Sequence, residues 1–127
     1  MISDKLRSIL TVDDNPLNRF LITTIVNKIV SDCTMLEAEN GYDALESFKS
    51  LKPDLIFMDI KLPDMNGFEV IQHIRTLEIQ SRTPIVVVSA NQASEENHLK
   101  YDNLIDAYLE KPIRFNELKL ILDKIFH

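Results

Sequence analysis

Leu55-Ile56-Phe57-Met58-Asp59 carries four apolar residues straight into a carboxylate. A short, unbroken apolar run reads as a strand covered on both faces, as in parallel sheets. Three further segments share the design: Ile9-Leu10-Thr11-Val12 ends in Asp13-Asp14, Ile85-Val86-Val87-Val88 in Ser89-Ala90, and Ala107-Tyr108-Leu109-Glu110 in Lys111-Pro112. As neighbouring parallel strands they bring all four C-terminal ends to one edge, where an open α/β sheet binds its ligands. Carboxylates, a hydroxyl and an ammonium then converge. Packed carboxylates resist ionising together unless a cation sits among them, so the cluster reads as a divalent-metal site with Lys111 as a second positive charge.

Between these runs lie segments of helical period, the pattern of repeated βαβ units. The spacing predicts a first helix from about Pro16, capped by Asn15 and burying Leu17, Phe20, Leu21, Ile25 and Ile29. Thr34 to Ala38 is more polar than the other strands and reads as an edge. Asn40-Gly41 turns the chain into a second helix burying Ala44, Leu45 and Phe48, which Lys52-Pro53-Asp54 stops. Gly67 opens a third helix with Val70, Ile71, Ile74 and Leu77 inward, and Ser81-Arg82-Thr83-Pro84 punctuates before the fourth strand. Ser94 to Tyr101 has little apolar surface to offer and reads as a weakly packed fourth helix. The last helix, Phe115 to Phe126, presents Leu118, Ile121, Leu122 and Ile125.

A chain of 127 residues suits one domain, assigned here to residues 1–127. The net charge of −6, with fourteen scattered Lys and Arg, argues against nucleic acid as a partner. No apolar run approaches the roughly 20 residues that span a bilayer, and Met1 to Arg7 is too polar to begin a secretory signal. A cytoplasmic protein without membrane insertion is expected. One cysteine, Cys33, precludes an internal disulfide and reads as a small apolar residue entering a strand.

VDDNPLNR at Val12 to Arg19, FMDIKLPDMNG at Phe57 to Gly67, VVVSA at Val86 to Ala90 and AYLEKP at Ala107 to Pro112 resemble the receiver domain of two-component response regulators. The four segments stand in that family's order and near its spacing. The resemblance implies a flavodoxin-like (βα)5 fold, an α/β doubly wound parallel sheet of five strands ordered 2-1-3-4-5. It also implies a phosphorylation-dependent switch rather than a turnover enzyme. The partners it implies are a histidine kinase or histidine phosphotransfer protein, and a downstream protein at the surface of the fourth helix, fifth strand and fifth helix.

Each site residue then has a task. Asp59 is the expected nucleophile, accepting a phosphoryl group from a phosphohistidine. Carboxylates react poorly with an anionic donor, so Mg²⁺, with Mn²⁺ as substitute, is expected on Asp14 and Asp59, with Asp13 nearby through water. The family adds a backbone carbonyl two residues past the acceptor, here Lys61. Lys111 and the Ser89 hydroxyl answer the phosphoryl oxygens. Ser89 and Tyr108 are the expected switch pair, while Lys61 and Asn91 hold the positions that tune hydrolysis.

Taken singly, Asp13-Asp14 is more often a turn or helix cap, Lys111-Pro112 an ordinary strand exit, and Ser89 a polar strand end. Their joint occurrence carries the reading. His73, His98 and His127 lack metal-ligand spacing and read as solvated side chains. Gly67, in the loop Pro63-Asp64-Met65-Asn66-Gly67, supplies either a positive φ or a close backbone approach. Where the family usually has glycine before the fifth strand, this chain reads Asp102-Asn103-Leu104-Ile105-Asp106, and Asn103 is expected to take the left-handed conformation instead.

Other classes fit less well. A haloacid-dehalogenase-type phosphatase needs an aspartate where Lys61 stands, and a flavodoxin needs hydroxyls and glycines where Asp13 and Asp14 stand. A phosphate-independent interaction module predicts loss of a site residue. DDNPLNR also resembles receivers joined to hybrid sensor kinases, which makes a segment of a longer chain the alternative. Met1 and the close of the last helix at Phe126 favour a free-standing protein.

Overall fold

Leu55, Ile56, Phe57 and Met58 are all buried, which requires cover on both faces of their sheet. The structure, a computed structural model, describes residues 5–79, 81–90 and 100–126. Its strands are β1 (Ser8–Val12), β2 (Thr34–Ala38), β3 (Leu55–Asp59), β4 (Ile85–Ser89) and β5 (Ala107–Glu110). All pair in parallel in the order β2-β1-β3-β4-β5, so the polar β2 is an edge strand as expected. Val12 stands opposite Met58, Asp59 opposite Val88, and Ser89 opposite Glu110, which aligns the strand ends.

Helices α1 (Pro16–Ile29), α2 (Gly41–Leu51), α3 (Gly67–Leu77) and α4 (Phe115–Ile125) form the two covering layers. Alternation along each strand divides the core. Ile9, Phe57, Val86 and Leu109 meet Ile22, Val26, Leu118 and Leu122 from α1 and α4. On the other face Leu10, Ile56, Met58 and Val87 meet Ala44, Phe48, Ile71 and Ile74 from α2 and α3. Of the expected helix at Ser94 to Tyr101, only Lys100 and Tyr101 lie within the described residues. They are helical and lead into a 3-10 turn at Asp102–Leu104.

Asparagines start three helices. Asn15 accepts from Leu17 N at 2.9 Å, Asn40 from Asp43 N at 2.7 Å and Asn66 from Phe68 N at 2.7 Å, each occupying an amide that the helix itself leaves unbonded. Lys52, left-handed at φ 45°, ends α2 where the sequence predicts a stop.

Three expectations are corrected. In α1, Leu17 and Phe20 are 74% and 68% exposed and Leu21 also faces solvent, while Arg19, Ile22, Ile25 and Val26 are buried. Arg19 is drawn inward because its guanidinium bonds the Asp13 carbonyl and pairs with Glu37 at 2.8 Å. That rotates the helix away from the face its apolar spacing suggests. Leu77 is exposed because α3 ends at it, so no further turn of the helix shields it. Asn103 is not left-handed: among the described residues positive φ occurs at Asp32 and Lys52. Cations hold this segment instead, Arg82 donating to the Asn103 carbonyl at 3.0 Å and Arg75 to the Leu104 carbonyl at 2.7 Å.

Candidate functional site

The aligned strand ends deliver their polar residues to one edge. Asp59 closes β3 and Asp13 follows β1, and both are nearly buried, at 6% and 3% exposure; Asp14, next in the chain, is exposed. One oxygen from each of the three carboxylates lies within 4.8 Å of the others. Lys111, beyond β5, bridges two of them, its Nζ 3.2 Å from Asp13 Oδ2 and 3.3 Å from Asp59 Oδ1. Its backbone N–H donates to the Ser89 carbonyl at 2.8 Å, which joins the ends of β4 and β5. The Lys111–Pro112 peptide bond is cis.

The charges do not balance. Burial pushes the Asp59 carboxyl above its ordinary pKa, the Asp13 charge adds to that, and Lys111 opposes both. Among the described residues of this edge three acids face one ammonium, so a further cation is electrostatically favoured. Carboxylate oxygens are the donors that hard divalent ions prefer. This acidic cluster is one that can hold a metal ion.

Asp13 also shapes its surroundings. Its Oδ1 accepts from Asn15 N at 2.9 Å, fixing the turn into α1, and its backbone N–H donates to the Ala38 carbonyl at 3.1 Å, tying it to β2. Arg19 holds its carbonyl. Sequence reading gave Arg19 no role. Its signal was a cation among the apolar residues of α1.

Lys61 stands two residues past Asp59, exposed, and its backbone forms an antiparallel bridge with Asn66. Gly67 N donates to the Ile60 carbonyl at 2.7 Å and closes the loop. Close approach, rather than positive φ, is what Gly67 provides. Ser89 is half-buried at the end of β4. Tyr108 is half-buried against the α2–α3 side of the core with its hydroxyl out of solvent; burial first, and the Asp102 charge second, raise its pKa. Asn91, His98 and His127 lie outside the described residues. His73 is on the exposed face of α3, and Cys33 is half-buried, its pKa raised by burial and then by Asp54, which keeps it a protonated thiol.

A family model described as response regulator receiver domain matches residues 9–123. The chain belongs to that family. This receiver is 36% identical over 121 residues to the autoinducer 1 sensor kinase/phosphatase LuxN of Vibrio campbellii (strain ATCC BAA-1116), covering 95% of the chain and 14% of LuxN. It is 32% identical over 115 residues to the signal transduction histidine-protein kinase BarA of Escherichia coli (strain K12), covering 91% of the chain and 12% of BarA. The receiver thus spans a small fraction of the curated relatives it matches. Among solved structures, a CheY-like response regulator receiver domain from Methylobacillus flagellatus superposes with a TM-score of 0.81 at 27% identity, covering 94% of this chain and 98% of that one. The signal receiver domain of a putative Luxo repressor protein from Vibrio parahaemolyticus gives 0.80 at 28% identity, with 94% and 92% covered. Among the described residues no helix is long and apolar enough to cross a membrane.

Proposed function

We propose that this receiver is a phosphorylation-dependent switch in which Asp59 accepts a phosphoryl group from a histidine on a partner protein. The observation that carries the reading is a nearly buried carboxylate at a strand end, flanked by Asp13 and Asp14 and bridged to Asp13 by Lys111. An Asp59 carboxylate oxygen attacks phosphorus and forms a P–O bond. The P–N bond of the phosphohistidine breaks, and the imidazole nitrogen leaves with the electron pair. Asp59 becomes an acyl phosphate. Lys111, already 3.3 Å from Asp59, neutralises charge on the transferred group, and the Ser89 hydroxyl, at the end of the next strand, donates to it.

Asp14, Asp59 and Asp13, with the Lys61 backbone carbonyl, form the set proposed to hold Mg²⁺, or Mn²⁺ in its place. Bound there, the ion screens the repulsion between carboxylate and phosphoryl donor. Asp59 is consumed and regenerated by hydrolysis, so the domain is a self-modifying acceptor rather than a turnover enzyme.

Leu17, Phe20 and Leu21 are exposed on the first turns of α1, which starts from the Asn15 cap beside the acidic edge. Exposed apolar side chains grouped on one helix face mark a protein contact. The histidine kinase or phosphotransfer protein is proposed to dock there, with a downstream protein reading the face near β5 and α4. A cytoplasmic setting fits such partners. The relatives named as sensor kinases support a second reading, a receiver working as one segment of a hybrid sensor kinase, with the same chemistry at Asp59.

Incubation with acetyl phosphate and Mg²⁺, followed by intact-mass spectrometry, tests the assignment. One added phosphoryl group is expected, absent without divalent ion and absent in Asp59→Asn and Asp14→Ala. An adduct that persists in Asp59→Asn sinks it.

A further inference from the structure

The first amides of a helix have no partner inside it. In α2 the Asn40 side chain takes the amide of Asp43 at 2.7 Å. The amides of Gly41 and Tyr42 reach instead to the loop after β3, where Asp64 Oδ1 accepts from Gly41 N at 2.7 Å and Oδ2 from Tyr42 N at 2.9 Å. Both oxygens of one carboxylate thus close the positive end of a helix that lies elsewhere in the sequence. Those two bonds hold the Asp64 carboxyl below its ordinary pKa. Met65 adds a packing contact: a Cβ on Gly41 would stand 2.3 Å from Met65 Cγ.

The loop so held is the one that carries Lys61. Its base is fixed by the Gly67 N–H on the Ile60 carbonyl and by the bridge between Lys61 and Asn66. Its tip is fixed by Asp64. Helix α2 in turn follows β2, whose last residue, Ala38, accepts from Asp13 N at 3.1 Å. The Lys61 loop is therefore joined through the Asp64 hydrogen bonds to the start of α2, through the short chain segment from Gly41 back to Ala38, and through the Ala38 carbonyl to the backbone that carries Asp13.

We propose that Asp64 is a positioning residue for the divalent-ion site, holding the Lys61 loop in register with Asp13 and Asp14 without itself touching the ion. The inference rests on the reading of this edge as a metal-assisted phosphoacceptor site. Losing the brace leaves every carboxylate of the site in place but frees the loop. Outer supports of metal ligands typically contribute about tenfold or more in affinity.

Mn²⁺ titration followed by electron paramagnetic resonance, on the wild type, Asp64→Ala and Asp64→Asn, provides the test. Asp64→Ala is expected to bind Mn²⁺ about tenfold more weakly, with Asp64→Asn, which keeps one acceptor, in between. In the metal-free proteins, hydrogen exchange at Gly41, Tyr42 and Ile60 to Gly67 should be faster in Asp64→Ala. Repeating the titration in concentrated salt separates the brace from simple loss of charge, because salt screens an exposed carboxylate. Equal Mn²⁺ affinity in wild type and Asp64→Ala overturns the proposal, even if the melting temperature falls. So does an affinity loss that vanishes in salt. A wild type that binds no Mn²⁺ overturns the phosphoacceptor reading itself.

Discussion

A Cβ placed on Gly67 would lie 2.2 Å from the carbonyl oxygen of Asp59. It would also lie 2.8 Å from the Ile60 Cα, so both obstacles are backbone and cannot swing aside. The first turn of α3 is thus pressed against the chain immediately after the acceptor, and the 2.7 Å bond from Gly67 N to the Ile60 carbonyl depends on that contact. Gly67→Ala should therefore lower stability by about 1–3 kcal/mol, the usual cost of overpacking, and weaken divalent-ion binding with it. Urea denaturation and Mn²⁺ titration check both; an unchanged midpoint would show that the loop can yield.

Burial sets the Asp59 carboxylate against folding in the metal-free protein. Burial and Asp13 raise its pKa in the folded state, outweighing Lys111. A carboxyl whose folded pKa exceeds its unfolded value favours folding below the unfolded pKa, and that contribution is lost as pH rises through the folded pKa. Ionising the buried group therefore works against folding. Metal-free Asp59→Asn should accordingly melt higher than the wild type at neutral pH, and the gap should close as pH falls toward the ordinary carboxylate value of 3.8. Mg²⁺ should narrow it too, by binding the native wild type. Calorimetry across pH, with and without Mg²⁺, decides; a wild type that melts higher without metal refutes the argument.

The strand ends were legible in the sequence because each combines two local signals, an unbroken apolar run and an abrupt charge, and topology does the rest. Asp13, Asp59 and Lys111 meet for that reason. The facing of α1 was not legible, because Leu17, Phe20, Leu21, Ile22, Ile25 and Val26 make the helix apolar on most sides. A buried cation, Arg19, held by Glu37 and the Asp13 carbonyl, selects among those faces. Asp64 was also hidden. Its partners are helix amides more than twenty residues away, and no local pattern announces such a bond. Asn103 misled because a missing glycine suggested a left-handed substitute, whereas Arg75 and Arg82 hold a 3-10 turn there.

Phe20 separates partner docking from chemistry. It is exposed on α1, so Phe20→Ala should change stability by no more than about 0.5 kcal/mol. Phosphorylation by acetyl phosphate should proceed as in the wild type. If a histidine-bearing protein docks on this helix, an aromatic anchor contributes at least about 1 kcal/mol to the contact, and transfer from that protein should slow several-fold at low concentration. Equal transfer rates from the cognate donor would remove α1 from the interface.

Lys61 stands exposed two residues beyond the acceptor. An ammonium reaching from there across a phosphoryl group on Asp59 would hinder in-line attack by water while answering the charge. Lys61→Ala should dephosphorylate about two- to fivefold faster, the scale of a partly exposed charge interaction. Loss of the adduct followed by mass spectrometry measures this, and equal half-lives refute it.

The last prediction concerns output. By analogy with other phosphorylated side chains, a phosphoryl group on Asp59 would bring about −1.5 to −2 charges to an edge already holding Asp13, Asp14 and Asp59, so Lys111 and the Ser89 hydroxyl should be drawn toward it. Ser89 closes β4 directly beside β5, in register with Glu110, and its carbonyl accepts from Lys111 N, so a shift of Ser89 is passed to β5. Tyr108 lies on that strand, half-buried, and shares its side of the core with Tyr101, whose ring stacks on Phe68 at 4.7 Å. Phe68 is the second residue of α3, next to the Gly67 contact with Asp59. The start of α3, beside Asp59, and the turn before β5 thus share one packed set of side chains, and moving Ser89 should bias the position of Tyr108. Phosphate-driven partner binding should be lost in Ser89→Ala and altered in Tyr108→Ala, while both proteins still acquire phosphate. Beryllofluoride with Mg²⁺ should shift the amide resonances of Lys100 to Leu104 and Ala107 to Lys111 together with those around Asp59; if only the latter move, the two regions are not coupled.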